Sequence, residues 1–346
     1  MPMNGEAAFW IVAGPAILAA SAFLCAFLIV ALRPALKRYA MAQPNARSSH
    51  TAPTPQGGGI AVAATVITVS FSAFYVLPPG AADMLRFPIV TASVVLIAGA
   101  GVLADMHPEN FAWRLFLQAL AVAAAVFAIP AAIRVLPMVP LPAERIALII
   151  GGVWFVNLVN FMDGLDLMTV AEVVPITAAV AMFGLFGAVP PPAIAVSLAL
   201  CGAMIGFAYF NSPVARLFLG DVGSLPIGLV VGWLLVLLAG SGGRAAAILL
   251  PLYYLADSSI TLVRRALNGE KIWRAHRSHF YQRATDRGFS VPDVVARIFA
   301  VNLALAALAL TTVLARGRLT DIAALGAGAV LVGGLLWALS RGRKPA

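Results

Sequence analysis

The sequence predicts an all-α integral membrane protein with about ten or eleven transmembrane helices. Two observations carry that expectation. Of the 346 residues, 62% are hydrophobic and only 11% are charged, against roughly 45–50% and about 25% in water-soluble domains. The apolar residues also run in continuous blocks, without the alternation of a membrane β-barrel. Hydrocarbon offers no water to unpaired amides, so blocks of this kind must satisfy their backbones internally, as helices.

A span needs about 20 apolar residues. Eleven blocks qualify, at 8–32, 57–77, 88–104, 114–130, 145–162, 167–187, 192–210, 222–240, 246–263, 295–315 and 321–339. The first has no basic residue before it and runs past the length of a signal peptide, so it reads as a retained span. With the N-terminus outside and the C-terminus cytoplasmic, 17 of the 23 Lys and Arg fall on the inside, as the positive-inside tendency requires. The whole chain, 1–346, reads as one polytopic domain, with 264–294 as a long basic cytoplasmic loop. The net charge of +9 favours anionic headgroups and anionic substrates rather than nucleic acid. The two cysteines, Cys25 and Cys201, lie in apolar blocks and form neither a disulfide framework nor a thiolate metal site.

In this orientation the chemically distinctive residues collect on the inner face. The first inner loop carries Asn45, Arg47 and His50, then Gln56-Gly57-Gly58-Gly59 at the start of a span. Backbone N–H groups at a helix start attract phosphate, and glycine permits close approach. A turn with small-residue helix packing is the alternative. Asp105 ends the third span, either as a site acid or as a solvated loop residue. Asn157, Asn160 and Asp163 recur at three-residue spacing, which places them on one helix face, and Asp166 extends the stripe. Such groups mark a site or an interhelical hydrogen-bonded seam. Asn211 and Asp221 flank the next inner turn. Asp221, between Gly220 and Gly223, suits a hard cation that takes carboxylate oxygens, or an N-cap. Asp257 is an acid inside the ninth block, as a site residue or as an ion-pair partner of Arg264 or Arg265. Glu172 shares that position without a motif. In 264–294, His276, Arg277 and His279 sit among basic and aromatic residues that suit a diphosphate with a sugar or base, while anchoring on anionic lipid accounts for part of the charge.

The segments PNARSSH with PTPQGGG, NLVNFMDGLD, NSP with FLGDVGS, and HRSHFYQR, in this order, resemble the polytopic polyprenyl-phosphate sugar-1-phosphate transferases. This is the glycosyltransferase family 4 superfamily, which includes undecaprenyl-phosphate N-acetylglucosaminyl-1-phosphate transferase and phospho-N-acetylmuramoyl-pentapeptide transferase. The resemblance runs from about residue 44 to about residue 290, and its last motif is most like the branch that initiates O-antigen or capsule synthesis. It implies an enzyme of the bacterial cytoplasmic membrane, with a UDP-sugar and undecaprenyl phosphate as substrates. UMP is released, Mg²⁺ is required (Mn²⁺ being an alternative), and a homodimer is one assembly it allows. It further implies that Asp105, Asp163, Asp166 and Asp221 are catalytic, with Asp221 on the metal. Asn45, Arg47, His50, Asn157, Asn160, Asn211, Asp257, His276, Arg277 and His279 would bind substrate. Two positions depart from the family pattern: Ala104 replaces the first of two aspartates, and Leu167 replaces a glycine. A transporter for a lipid-linked anion and a catalytically lost relative are the competing readings.

Overall fold

The computed structural model describes residues 5–43, 52–76, 81–106, 111–271 and 276–341. Asn45, Arg47 and His50 lie outside them. The helices are α1 (Gly5–Tyr39), α2 (Gly58–Val76), α3 (Ala81–Met106), α4 (Phe111–Ala128), α5 (Leu141–Met162), α6 (Met168–Gly184), α7 (Pro191–Asn211), α8 (Asp221–Gly240), α9 (Arg244–Leu249), α10 (Leu252–Leu267), α11 (Phe280–Asp286), α12 (Val291–Ala315) and α13 (Arg318–Arg341). Seven of these are long and apolar enough to cross a bilayer, and α2, α4 and α6 contain shorter apolar stretches of the same kind. The chain is a multi-pass membrane protein.

Local chemistry places the helix ends. Proline opens α5, α7 and α12, where its missing N–H costs nothing. The Ser290 hydroxyl caps α12 by accepting from the Asp293 N–H at 3.2 Å. The bundle exposes many large apolar side chains around its girth, Val12, Phe23, Phe127 and Ile150 among them. A soluble protein would not tolerate such a belt, whereas lipid tails cover it.

The structure corrects one expected span. The block 246–263 is not a continuous helix but breaks at Leu250-Pro251 into α9 and α10. Proline at 251 cannot donate to the helix ladder. Beyond it α10 is amphipathic, with Asp257, Ser258 and Thr261 buried on one face and Ile260, Val263 and Leu267 exposed. The block's mean apolarity had hidden this two-sidedness.

At the bundle centre α8 packs against α2, α3, α5 and α9. Its N-terminal end is where distant segments converge. A two-residue antiparallel pair joins Met41–Ala42 (β1) to Thr54–Pro55 (β2), and Gln56 bridges in parallel to Phe218. The approach is so close that a Cβ on Gly59 would stand 2.1 Å from the Gly223 Cα, and one on Gly101 would stand 2.5 Å from the Asp221 carbonyl oxygen. Overpacking of this kind costs about 1–3 kcal/mol. Gly59→Ala is therefore expected to lower the thermal unfolding midpoint in detergent, while Gly99→Ala, whose added methyl meets nothing within 4 Å, should leave it unchanged.

Candidate active site

At one end of the bundle two segments are zipped together by their backbones, and a side chain joins a third. The Phe218 N–H donates to the Pro55 carbonyl at 2.8 Å, and the N–H groups of Gly58 and Gly59 donate to the carbonyls of Phe218 and Leu219, each at 2.9 Å. Gly57 and Gly220 take φ of +102° and +77°, conformations that glycine adopts without a Cβ clash. The third segment is the end of α3. There the Asp105 carboxylate accepts from the N–H groups of Asp221 (3.1 Å) and Val222 (3.2 Å). Asp105 thus caps α8 from another helix, with its charge at the positive end of that helix dipole. Ala104, beside it, is buried.

Asp221 projects from the first turn of α8 and is held from two sides. Asn160 Nδ2 donates to its Oδ1 at 2.8 Å and to Ser224 Oγ at 2.8 Å. Arg114 Nη1, from α4, donates to its Oδ2 at 3.0 Å. One turn further along α4, Gln118 accepts from Asn157 Nδ2 at 2.7 Å. The stripe on α5 is therefore divided, with Asn160 facing Asp221 and Asn157 facing α4. Arg114 and Gln118 escaped the sequence reading. Their signal was a four-residue spacing of polar groups on one face of an otherwise apolar helix.

Asp163 lies just past α5 and accepts from the Thr169 hydroxyl. Burial pushes its carboxyl up to about 7; the Thr169 hydrogen bond opposes that shift, and the charges of Asp221, Asp105 and Asp166 reinforce it. Asp166 turns the other way, accepting from the Ala215 N–H at 3.0 Å. It lines a cleft of about 590 Å³ together with Arg33, Lys37, Thr54 and Arg216. Asn211 uses both ends of its amide to join loops, accepting from the Leu167 N–H at 2.7 Å and donating to the Leu217 carbonyl at 3.0 Å. Leu167, in the place of the family's glycine, sits at φ +62°, so the backbone keeps a left-handed turn at which leucine is strained.

The basic segment returns to this centre through Tyr281, whose hydroxyl donates to the Phe161 carbonyl at 3.0 Å. His279 and Tyr281 are stacked at 5.7 Å, and His276 stacks on His279 at 4.9 Å. Arg277 pairs with Asp286 at 3.2 Å. Asp257 pairs with neither Arg264 nor Arg265; its carboxylate receives the start of α11. Arg265 instead binds Glu270 at 2.8 Å. Glu172, without a motif in the sequence, accepts from Asn302 Nδ2 at 2.6 Å.

Among the described residues, no three His, Cys, Asp or Glu side chains close into a metal cage. What is present fits a different kind of ion. Asp221 and Asp105 share a helix start, and Asp163 resists ionisation beside them. Mg²⁺ takes one or two carboxylates and leaves its other positions to water and substrate phosphates.

A multi-pass helical bundle with an acidic centre at one end, walled by a basic segment, defines a membrane-embedded class of protein. The sequence profile described as glycosyl transferase family 4 matches residues 87–239. The decaprenyl-phosphate N-acetylglucosaminephosphotransferase of Mycobacterium tuberculosis is 30% identical over 330 residues, covering 86% of this chain and 81% of that one. The probable undecaprenyl-phosphate N-acetylglucosaminyl 1-phosphate transferase of Bacillus subtilis is 26% identical over 271 residues, covering 75% and 73%. The phospho-N-acetylmuramoyl-pentapeptide-transferase of Rhodopseudomonas palustris is 29% identical over 175 residues, covering 45% and 47%. The chain belongs to glycosyl transferase family 4.

A Cβ on Gly164 would stand 2.2 Å from the Tyr281 hydroxyl oxygen. Gly164→Ala is expected to detach Tyr281 from the end of α5. Proteolysis of the 276–286 segment in detergent should accelerate severalfold while the spans stay protected.

Proposed function

We propose that this protein transfers a sugar-1-phosphate, of the N-acetylhexosamine type, from a UDP-sugar to undecaprenyl phosphate. The reaction takes place at the cytoplasmic face of the bacterial inner membrane, releases UMP and initiates an envelope polysaccharide such as O-antigen or capsule. The observation that supports this most is Asp221. It lies at a helix start, is flanked by Asp105 and gripped by Asn160 and Arg114, and stands where an apolar bundle meets water. The names of the relatives, a prenyl-phosphate and N-acetylglucosamine phosphate transferase in each case, point the same way.

In this reading an oxygen of the lipid phosphate attacks the sugar-bearing phosphorus of the donor. The phosphorus–oxygen bond to UMP breaks, and UMP carries away the electron pair. Such transfers need positioning and neutralised charge more than covalent chemistry. Mg²⁺ held by Asp221, with Mn²⁺ as a substitute, would supply Lewis acidity at the diphosphate. Asn160 orients the Asp221 carboxylate, and Arg114 is placed to pass from Asp221 to a phosphate oxygen. His276, Arg277 and His279 form the basic wall. Asp105 is committed to two backbone N–H groups, which makes it a positioning group for α8. Ala104 leaves that turn without a second carboxylate to act as base. The lipid phosphate does not need one, because a phosphate monoester loses its second proton near pH 6.

The test incubates membranes containing the protein with undecaprenyl phosphate, Mg²⁺ and a panel of UDP-sugars, and measures UMP. One donor should give turnover, and UMP from none of them overturns the proposal. Asp221→Asn should cut turnover about a hundredfold or more without changing the unfolding midpoint. Cation affinity should depend on pH. Asp163 gains its proton as pH falls through about 7, which removes a negative charge beside Asp221 and weakens its pull on a cation. Mn²⁺ binding, read by electron paramagnetic resonance, is thus expected to weaken below pH 7 and level off above it.

A further inference from the structure

We infer that Asp257 is the positioning residue that orders the basic wall: it holds the His279 ring through Nδ1 and so leaves Nε2 as the acceptor offered to a substrate hydroxyl. The inference rests on the proposed transfer reaction for its substrate and on the geometry for everything else.

Asp257 is fully buried, at 0% exposure, in the polar face of α10. Its two oxygens receive five donors. Oδ1 takes the Phe280 N–H at 3.0 Å, His279 Nδ1 at 3.1 Å and the Thr261 hydroxyl at 3.3 Å. Oδ2 takes the Tyr253 hydroxyl at 3.0 Å and the Tyr281 N–H at 3.2 Å. So many donors around one carboxyl call for a carboxylate, which can only accept. His279 Nδ1 must therefore carry its proton toward Asp257, which fixes the ring's orientation and tautomer.

The other nitrogen, Nε2, is buried and meets no hydrogen-bond partner among the described residues. A buried polar atom left unpaired is costly; with the proton on Nδ1, Nε2 accepts, and a substrate hydroxyl donating to it would relieve that cost. The ring that carries it stacks on Tyr281, whose hydroxyl reaches the end of α5 beside Asp163. Tyr281 thus ties the ring that carries the unpaired nitrogen to the end of α5. Asp257 itself has no surface left for substrate. Its contribution passes through His279 and the α11 backbone.

The experiment compares Asp257→Asn, His279→Ala and the double variant, each assayed for UMP release with undecaprenyl phosphate and the working UDP-sugar. Asn keeps the shape but replaces one acceptor oxygen by a donor. If Asp257 acts through His279, each single change lowers kcat/KM by about 10- to 100-fold, and the double variant is no worse than His279→Ala alone. Losses that multiply in the double variant would overturn the inference, because they would mean that Asp257 acts independently of His279. A second readout does not depend on turnover. Hydrogen exchange of the peptide covering 277–286 should quicken at least severalfold in Asp257→Asn, while that of α12 stays unchanged. Unaltered exchange in 277–286 also refutes the anchoring role. A wild type that releases no UMP but shows the exchange effect would refute the transfer reaction and leave the anchoring intact.

Discussion

The arrangement depends on how the first turn of α8 is satisfied at the end of the bundle. A helix start leaves N–H groups without partners, and here Asp105 accepts from two of them across 116 and 117 residues of chain. The contact needs α3 and α8 to touch along their backbones, which the missing side chain of Gly101 permits. It also needs the Pro55–Gly59 strand laid beside Phe218–Leu219. Once these are in place, the direction in which Asp221 projects is set.

Electrostatics follows from that geometry. Asp105, Asp221 and Asp163 are drawn together, each half-buried. Each has different partners. Asp105 faces a helix dipole and two N–H groups. Asp221 faces a guanidinium and an amide. Asp163, half-buried among three other acids, has one hydroxyl donor, and its proton is held up to about 7. Under the proposed reaction, such an acidic centre would favour a cation that arrives with its own phosphates, and the basic segment would favour the phosphates themselves.

The family motifs were legible as strings, but several act differently from a literal reading. The NLVNFMDGLD stripe divides between two neighbours, since Asn157 reaches Gln118 while Asn160 reaches Asp221. Asp166 faces the cleft beside Arg33 and Arg216 rather than Asp221. Asn211 ties loops together. Asp257, which spacing placed near Arg264 and Arg265, instead receives the start of α11. A one-dimensional pattern gives a residue's position on its own helix. It does not say which other helix stands opposite.

The sequence by itself determined the solvent of this protein, most of its spans and the face on which its chemistry gathers. Those follow from hydropathy and charge, which are properties of short stretches. It also supplied the motifs that place the chain in its family. Only the tertiary structure decided that block 246–263 is two helices, that Arg114 and Gln118 of α4 join the centre, and that Asp105 and Asp257 act as caps for helices other than their own. These are outcomes of packing between segments up to 117 residues apart. A donor left over at one helix end can be matched to an acceptor on another only once the chain has brought the two within about 3 Å.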